Sequence, residues 1–255
     1  MRKRNLATNA KAALLVQINP NRIIFRKNMN KRLPIASITK LMAILTLLDG
    51  IDAGDIKWSD KVQVSKNAAS TGGSKLSLKY GETITVEDLV KGMLIASAND
   101  AAVALAEGYS GTMGSFAEKM NNKAKALGLK NSKFENSHGL FEDHHYSTAL
   151  DVMKMAMNAI KREEILECTS LKEAYIKQGN QMKKLTNTNK LIGILPEIDG
   201  LKTGHTPKAG FCLVASAVRN DVRLMAVVLG EPSKALRDQE VIEMLNYGFK
   251  VIKTN

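Results

Sequence analysis

The sequence predicts an α+β fold: an antiparallel sheet built from both ends of the chain and flanked by helices, plus a helical lobe, with a cleft between. Three observations carry this. β-type apolar runs sit near both ends, in "AALLVQINPNRIIFRKN" and "GFCLVASAVRNDVRLMAVVLG". The middle of the chain instead shows apolar residues at helical spacing between start and stop residues. Residues 32 to 50, "RLPIASITKLMAILTLLDG", are apolar almost all round, the pattern of a helix buried on every side. The economical arrangement is one sheet from the two terminal hairpins, covered by the opening and closing helices. The sheet lobe then spans about 10–50 and 198–255 and the mainly helical lobe about 51–197, within one domain of 1–255.

Each element has a local reason. Asn19-Pro20-Asn21 separates two β-type runs, a hairpin signal, and the opening helix follows. "TVEDLVKGMLIAS" starts on Thr85 and Asp88, a capping box, and "NDAAVALAEGY" reads as a second helix after a break. "SFAEKMNNKAKALG" is amphipathic and closed by Gly128. "STALDVMKMAMNAIKREEI" reads as one helix with Thr148 and Asp151 at its start. A second hairpin turns at Arg219-Asn220-Asp221, and a final helix runs from about Ser233.

Composition narrows the class. The chain of 255 residues is 44% hydrophobic and 24% charged, which suits a globular protein with a substantial core. Its apolar runs fall short of the roughly 20 residues of a membrane span. The net charge of +12 suits a polyanionic neighbour, but the lysines are spread along the chain with only six phenylalanines and five tyrosines. No basic stripe with interleaved aromatics emerges, so the expectation is no nucleic acid. Cys168 and Cys212 have no metal-like spacing, and Cys212 lies in an apolar run where a buried thiol is expected. "MRKRNLATNA" has no apolar segment of signal-peptide type. Read alone, this suits a cytoplasmic chain or a processed export product.

One detail of the opening helix needs an explanation. Ser37 and Lys40, at i and i+3, share a face about 5–6 Å apart, and Pro34-Ile35-Ala36 puts Ser37 at the helix N-terminus. Burial and the positive end of the helix dipole both disfavour a charged Lys40. A neutral lysine can take the proton of a serine hydroxyl and make it a nucleophile. On this stretch alone the reading of Ser37 as a helix cap, with Lys40 reaching the surface, fits equally well.

Two further stretches decide between them. Ser97-Ala98-Asn99 sits at a break between two helices, and Lys202-Thr203-Gly204 at the edge of a strand. In this order, S-x-x-K, S-x-N and K-T-G form the signature of penicillin-binding proteins and serine β-lactamases. "LSLKYGETITVEDLVKGMLIASANDAAVALAEG", "ALGLKNSKFENSHGLFEDHHYSTALD" and "IDGLKTGHTPKAGFCLVASAVRNDVRLMAVVLG" closely resemble the D-alanyl-D-alanine carboxypeptidases, the low-molecular-mass penicillin-binding proteins. The likeness covers nearly the whole chain.

That resemblance implies a β-lactamase/DD-peptidase-like fold, no cofactor and no metal. It implies Ser37 as acylated nucleophile, Lys40 as its base and Ser97 as proton relay. Asn99 would hold substrate and orient Lys40. Lys202 and Thr203 would bind the substrate's terminal carboxylate, Gly204 would let its backbone approach, and the N–H groups of Ser37 and His205 would form an oxyanion hole. The implied partners are a peptidoglycan stem peptide ending in D-Ala-D-Ala and β-lactam antibiotics as covalent inhibitors. The implied location is outside the cytoplasmic membrane, with a signal peptide removed. The C-terminal β-rich domain of many members is expected to be absent, as in short members that act as endopeptidases on crosslinks, or trimmed away. A β-lactamase would need a deacylating base. Glu118 and Asn122 match the E-x-x-x-N spacing, but they lie on an ordinary amphipathic helix. A non-catalytic wall-binding protein would not need all these groups intact. His138, His144 and His145 have no common zinc spacing and read as a structural loop.

Overall fold

A computed structural model describes residues 6–253; positions 1–5 and 254–255 of the expected domain lie outside the described residues. The chain runs β1 (Ala12–Ile18), β2 (Arg22–Lys27), a 3₁₀ turn (Ala36–Ile38), α1 (Thr39–Ala53), β3 (Lys61–Gln63), α2 (Lys66–Ser70), β4 (Thr83–Thr85) and α3 (Val86–Leu94). It continues through α4 (Asn99–Ser110), α5 (Met113–Ala126), α6 (Ala149–Ala159), α7 (Glu163–Ser170), β5 (Glu173–Gln178), β6 (Gln181–Thr186), β7 (Ile198–Thr206), β8 (Gly210–Arg219), β9 (Val222–Glu231) and α8 (Lys234–Lys253). Both terminal hairpins join one five-stranded antiparallel sheet of order β2-β1-β9-β8-β7. The first strand pairs with the last, from Ala12 opposite Leu229 to Ile18 opposite Arg223.

β8 and β9 are long continuous apolar runs because both faces of the sheet are covered. On one face Leu15, Leu213, Ala226 and Val228 pack with Val241, Met244 and Phe249 of α8. On the other, Leu14, Val214 and Val227 join the core of the helical half. The opening helix is not laid on the sheet as expected. α1 packs chiefly among α4, α5 and α6, and it is α6 that lies against β1, β8 and β9. A helix apolar on every side needs neighbours on every side, and a position among helices supplies them.

The expected caps form: Thr85 Oγ1 accepts from Asp88 N, and Thr148 Oγ1 from Asp151 N. α5 begins two residues early, on Thr112, whose hydroxyl accepts from Ser115 N, and it closes with Gly128 at φ 68. The stretch from 147 to 165 is two helices rather than one, broken by a turn at Ile160–Arg162. Arg162 is held there by a double hydrogen bond to Asp52, 2.6 and 3.0 Å, and by Glu164. A small antiparallel strand pair, β3 with β4, and a hairpin, β5–β6, stand within the otherwise helical middle.

Candidate active site

A cleft of about 320 Å³ opens where the edge strand β7 meets the 3₁₀ turn and the α3–α4 junction. Ser37, Ser97, Thr203, Gly204 and His205 line it. Three sequence signatures separated by up to 165 positions thus share one cavity.

Ser37 lies in the 3₁₀ turn just before α1, not in the α-helix itself. The preceding Ala36 is held at φ 47, a left-handed conformation that costs a residue with a Cβ about 1–2 kcal/mol. Two glycines explain how the turn is held. A Cβ on Gly204 would stand 2.8 Å from Ile35 O and 3.1 Å from Ser37 N, so only glycine lets β7 press against the Ser37 turn. A Cβ on Gly139, at φ +85, would stand 1.9 Å from Ala36 O and 2.8 Å from Thr39 Oγ1.

Lys40 has no exposed surface. Its Nζ lies 2.8 Å from Ser37 Oγ, 2.6 Å from Asn99 Oδ1 and 2.9 Å from His138 O. Burial, and then the positive charge of Lys202, hold its pKa well below the usual lysine value. A neutral amine has two N–H donors and one lone pair. The two oxygens that only accept, Asn99 Oδ1 and His138 O, take the N–H groups, and the lone pair is left for the Ser37 hydroxyl. Burial disfavours the charge on Lys40, and the uncharged amine keeps one lone pair that can turn to the Ser37 hydroxyl once the other two oxygens hold its N–H groups.

Ser97 faces the cleft from a left-handed backbone, φ 61, between the end of α3 and the start of α4. Asn99 opens α4 but lies under the cleft rather than on its surface: Oδ1 accepts from Lys40, and Nδ2 donates to Gly72 O at 2.8 Å. Its place fits orienting Lys40 better than touching substrate. Lys202 is likewise buried beneath the cleft floor, 1% exposed, with Nζ donating to Thr203 O at 3.2 Å. Burial and the nearby Arg237 push its pKa down to about 7. Thr203 is buried but lines the cleft, and its Oγ1 donates to Thr188 Oγ1 at 2.7 Å. His205 is exposed and stacks on Phe211, centroids 3.9 Å apart.

Two contributors escaped the sequence reading. Arg237, on α8, reaches the cleft while 3% exposed, its guanidinium paired with Asp238 at 2.6 Å. No motif marks it. The other is the loop around His138, which contributes a carbonyl to Lys40. Backbone atoms leave no trace in residue type; only Gly139 hints at the close approach. Asn136 Oδ1 shapes this loop by accepting from His138 N and Gly139 N. His145 braces it from behind. Its Nδ1 accepts from Glu135 N, so the proton sits on Nε2 and is donated to Thr39 Oγ1 at 2.8 Å. Burial pushes His145 down to about 4 and His138 to about 3. His144 points to solvent. Glu118 and Asn122 are exposed on α5, and neither lines the cleft.

The family model for D-alanyl-D-alanine carboxypeptidases (peptidase family S11) matches residues 1–233. The chain belongs to that family. It is 44% identical to the D-alanyl-D-alanine carboxypeptidase DacF of Bacillus subtilis over 255 residues, all of this chain and 66% of the relative. It thus spans just under two thirds of that relative's length. Among solved structures, the D-alanyl-D-alanine carboxypeptidase DacD from Francisella tularensis superposes with a TM-score of 0.90 at 31% identity, over 98% of this chain and 72% of that one. Penicillin-binding protein D2 from Listeria monocytogenes, in an ampicillin-bound form, gives 0.86 at 31% identity, over 94% and 98%. The DD-peptidase fold expected from the sequence is the fold observed.

Proposed function

We propose that this chain is the single catalytic domain of a serine D-alanyl-D-alanine carboxypeptidase, removing the terminal D-alanine of peptidoglycan stem peptides. The observation that carries this is the fully buried Lys40, with its Nζ 2.8 Å from Ser37 Oγ. Ser37 Oγ attacks the carbonyl of the D-Ala–D-Ala bond while Lys40 takes its proton. The N–H groups of Ser37 and His205 receive the developing oxyanion. The proton returns to the departing amine by way of Ser97, D-alanine leaves, and water releases the shortened peptide from Ser37. β7 is a sheet edge, so an extended peptide can lie along it as an added strand.

At the other end of the substrate, Thr203 offers a hydroxyl to the terminal carboxylate. Lys202 supplies charge from below and Arg237 from the side. A metal or cofactor has no step to serve. The substrate places the enzyme outside the cytoplasmic membrane; among the described residues no helix is long and apolar enough to cross one.

The decisive experiment is intact mass after benzylpenicillin. A single adduct per chain is expected, absent in Ser37→Ala. An adduct at full rate in that variant would overturn the site. The adduct should be long-lived, and Glu118→Gln should leave its decay unchanged. Rapid turnover lost in Glu118→Gln would instead mean a β-lactamase. Cleavage of a purified crosslinked dimer with the monomeric pentapeptide left intact would mean an endopeptidase.

A further inference from the structure

The cleft holds more positive charge than one carboxylate requires. The chain terminus of a D-Ala-D-Ala peptide carries one negative charge, and Thr203, Lys202 and Arg237 are enough to meet it. Two more cations, Lys190 and Lys234, line the same cavity, both exposed. Among the described residues neither has an acidic partner, and no acidic residue lines the cleft at all.

Their position says which part of a substrate they would meet. Lys190 follows two residues after Thr188, whose hydroxyl accepts from Thr203. Lys234 precedes Arg237 by three on α8, hence on one helix face, and the charge of Arg237 bears on Lys202. Both lysines thus adjoin the carboxylate end of the cleft, beyond the scissile bond, where the leaving residue sits. D-Alanine has only a methyl group to offer there.

Building on the carboxypeptidase reading, we propose that Lys190 and Lys234 form a leaving-side subsite for a second anionic group, selecting D-residues with an acidic side chain at the terminal position. The reaction balances as an ordinary hydrolysis. Acyl-D-Ala-D-Glu plus water gives acyl-D-Ala and D-glutamate: Ser37 Oγ adds to the carbonyl, the C–N bond breaks as the Ser37 ester forms, the departing amine takes the proton, and water then cleaves the ester and supplies the new carboxyl oxygen.

The test compares N-acyl-D-Ala-D-Glu with its neutral isostere N-acyl-D-Ala-D-Gln at low ionic strength. Exposed lysine–carboxylate pairs are weak, so kcat/KM should favour D-Glu by only about threefold to tenfold. Lys190→Gln combined with Lys234→Gln should bring the ratio to about one. Lys125→Gln with Lys130→Gln, an equal charge loss at exposed positions outside the cleft, should leave it unchanged. High salt should compress the preference. A ratio near one in the unmodified protein, or a preference indifferent to Lys190 and Lys234, overturns the proposal. Equilibrium binding of the same two peptides to Ser37→Ala gives the comparison without turnover. Failure of hydrolysis therefore counts against the catalytic reading, while equal binding of the two peptides counts against this one.

Discussion

Two fully buried lysines lie near the cleft without lining it, and their surroundings differ. Lys40 has three oxygen neighbours, one of them the Ser37 hydroxyl. Lys202 has one, the carbonyl of its own neighbour Thr203, and a guanidinium nearby. Burial weakens the ammonium form of both. Lys202 is nevertheless kept near 7, where an arriving carboxylate can hold the proton on. Lys40 is held well below the ordinary lysine value, with the charge of Lys202 as the second cause. In the proposed mechanism, the lysine that meets the carboxylate therefore also helps to keep the base uncharged. Residue type and depth are shared; the neighbours assign the work.

The strongest way to break this contrast is to remove each lysine in turn. Lys40→Ala should slow acylation by benzylpenicillin by about 10²–10⁴-fold, the worth of a positioned general base, with the fold intact by circular dichroism. Lys202→Ala should lower kcat/KM on a D-Ala-D-Ala peptide by about 10- to 150-fold, through loss of a charge-assisted contact of about 1.5–3 kcal/mol. A larger loss at Lys202 than at Lys40 would reverse the roles. The shell of Lys40 has its own weak point. Gly139→Ala must displace Ala36 O, and with it the Ser37 turn. It should depress acylation by at least about tenfold and lower the thermal midpoint, while Gly128→Ala, with open space around its Cβ position, should leave acylation unchanged.

The contrast also separates what the sequence discloses from what it hides. Ser37, Lys40, Ser97 and the Lys202-Thr203-Gly204 run are legible because side-chain chemistry at fixed local spacing is a sequence property. The terminal hairpins are legible because long apolar β-runs with turn residues between them have few alternatives. The sequence offers Asn99 and Lys202 as substrate-binding residues but not their depth: both are buried and neither lines the cleft, because burial depends on what packs above a residue. The His138 carbonyl is invisible because every residue has one. Arg237 was missed because a lone arginine on a terminal helix resembles any solvated charge. α1 was set against the sheet because an all-round apolar helix tells that it is buried, not by what. The α6–α7 break and the two small strand pairs leave no signal, because Ile160–Arg162 carries no glycine or proline and short strands have little pattern.

A pH profile sharpens the comparison with a smaller effect. In the free enzyme Lys202 loses its proton as pH rises through about 7, so kcat/KM should fall on that limb. A bound carboxylate stabilises the ammonium, so the corresponding limb of kcat should lie at higher pH. Lys202→Arg, which keeps its charge, should abolish the descending limb near 7 even if the overall rate drops. A limb that stays in place in that variant belongs to another group.

The smallest effect concerns the support behind Lys40, which has no counterpart behind Lys202. His145 is 4% exposed and held neutral, with a folded pKa of about 4 against an unfolded value near 6.5. Between those two values the unfolded chain binds a proton that the folded chain refuses. Stability therefore falls as pH is lowered from about 6.5 to about 4, by up to about 3 kcal/mol for this group. Above 6.5 neither state is protonated and the contribution is flat. His138, pushed down to about 3, acts in the same direction, so removing His145 alone should make the acid slope shallower without abolishing it. His145→Gln can still donate to Thr39 Oγ1. Denaturant unfolding of both proteins at pH 7 and pH 4.5 reads the difference. The variant should lose less stability than the parent over that interval, and its acylation rate should hold further into acid. Parallel curves for the two proteins would show that His145 does not couple protonation to the loop that carries the His138 carbonyl to Lys40.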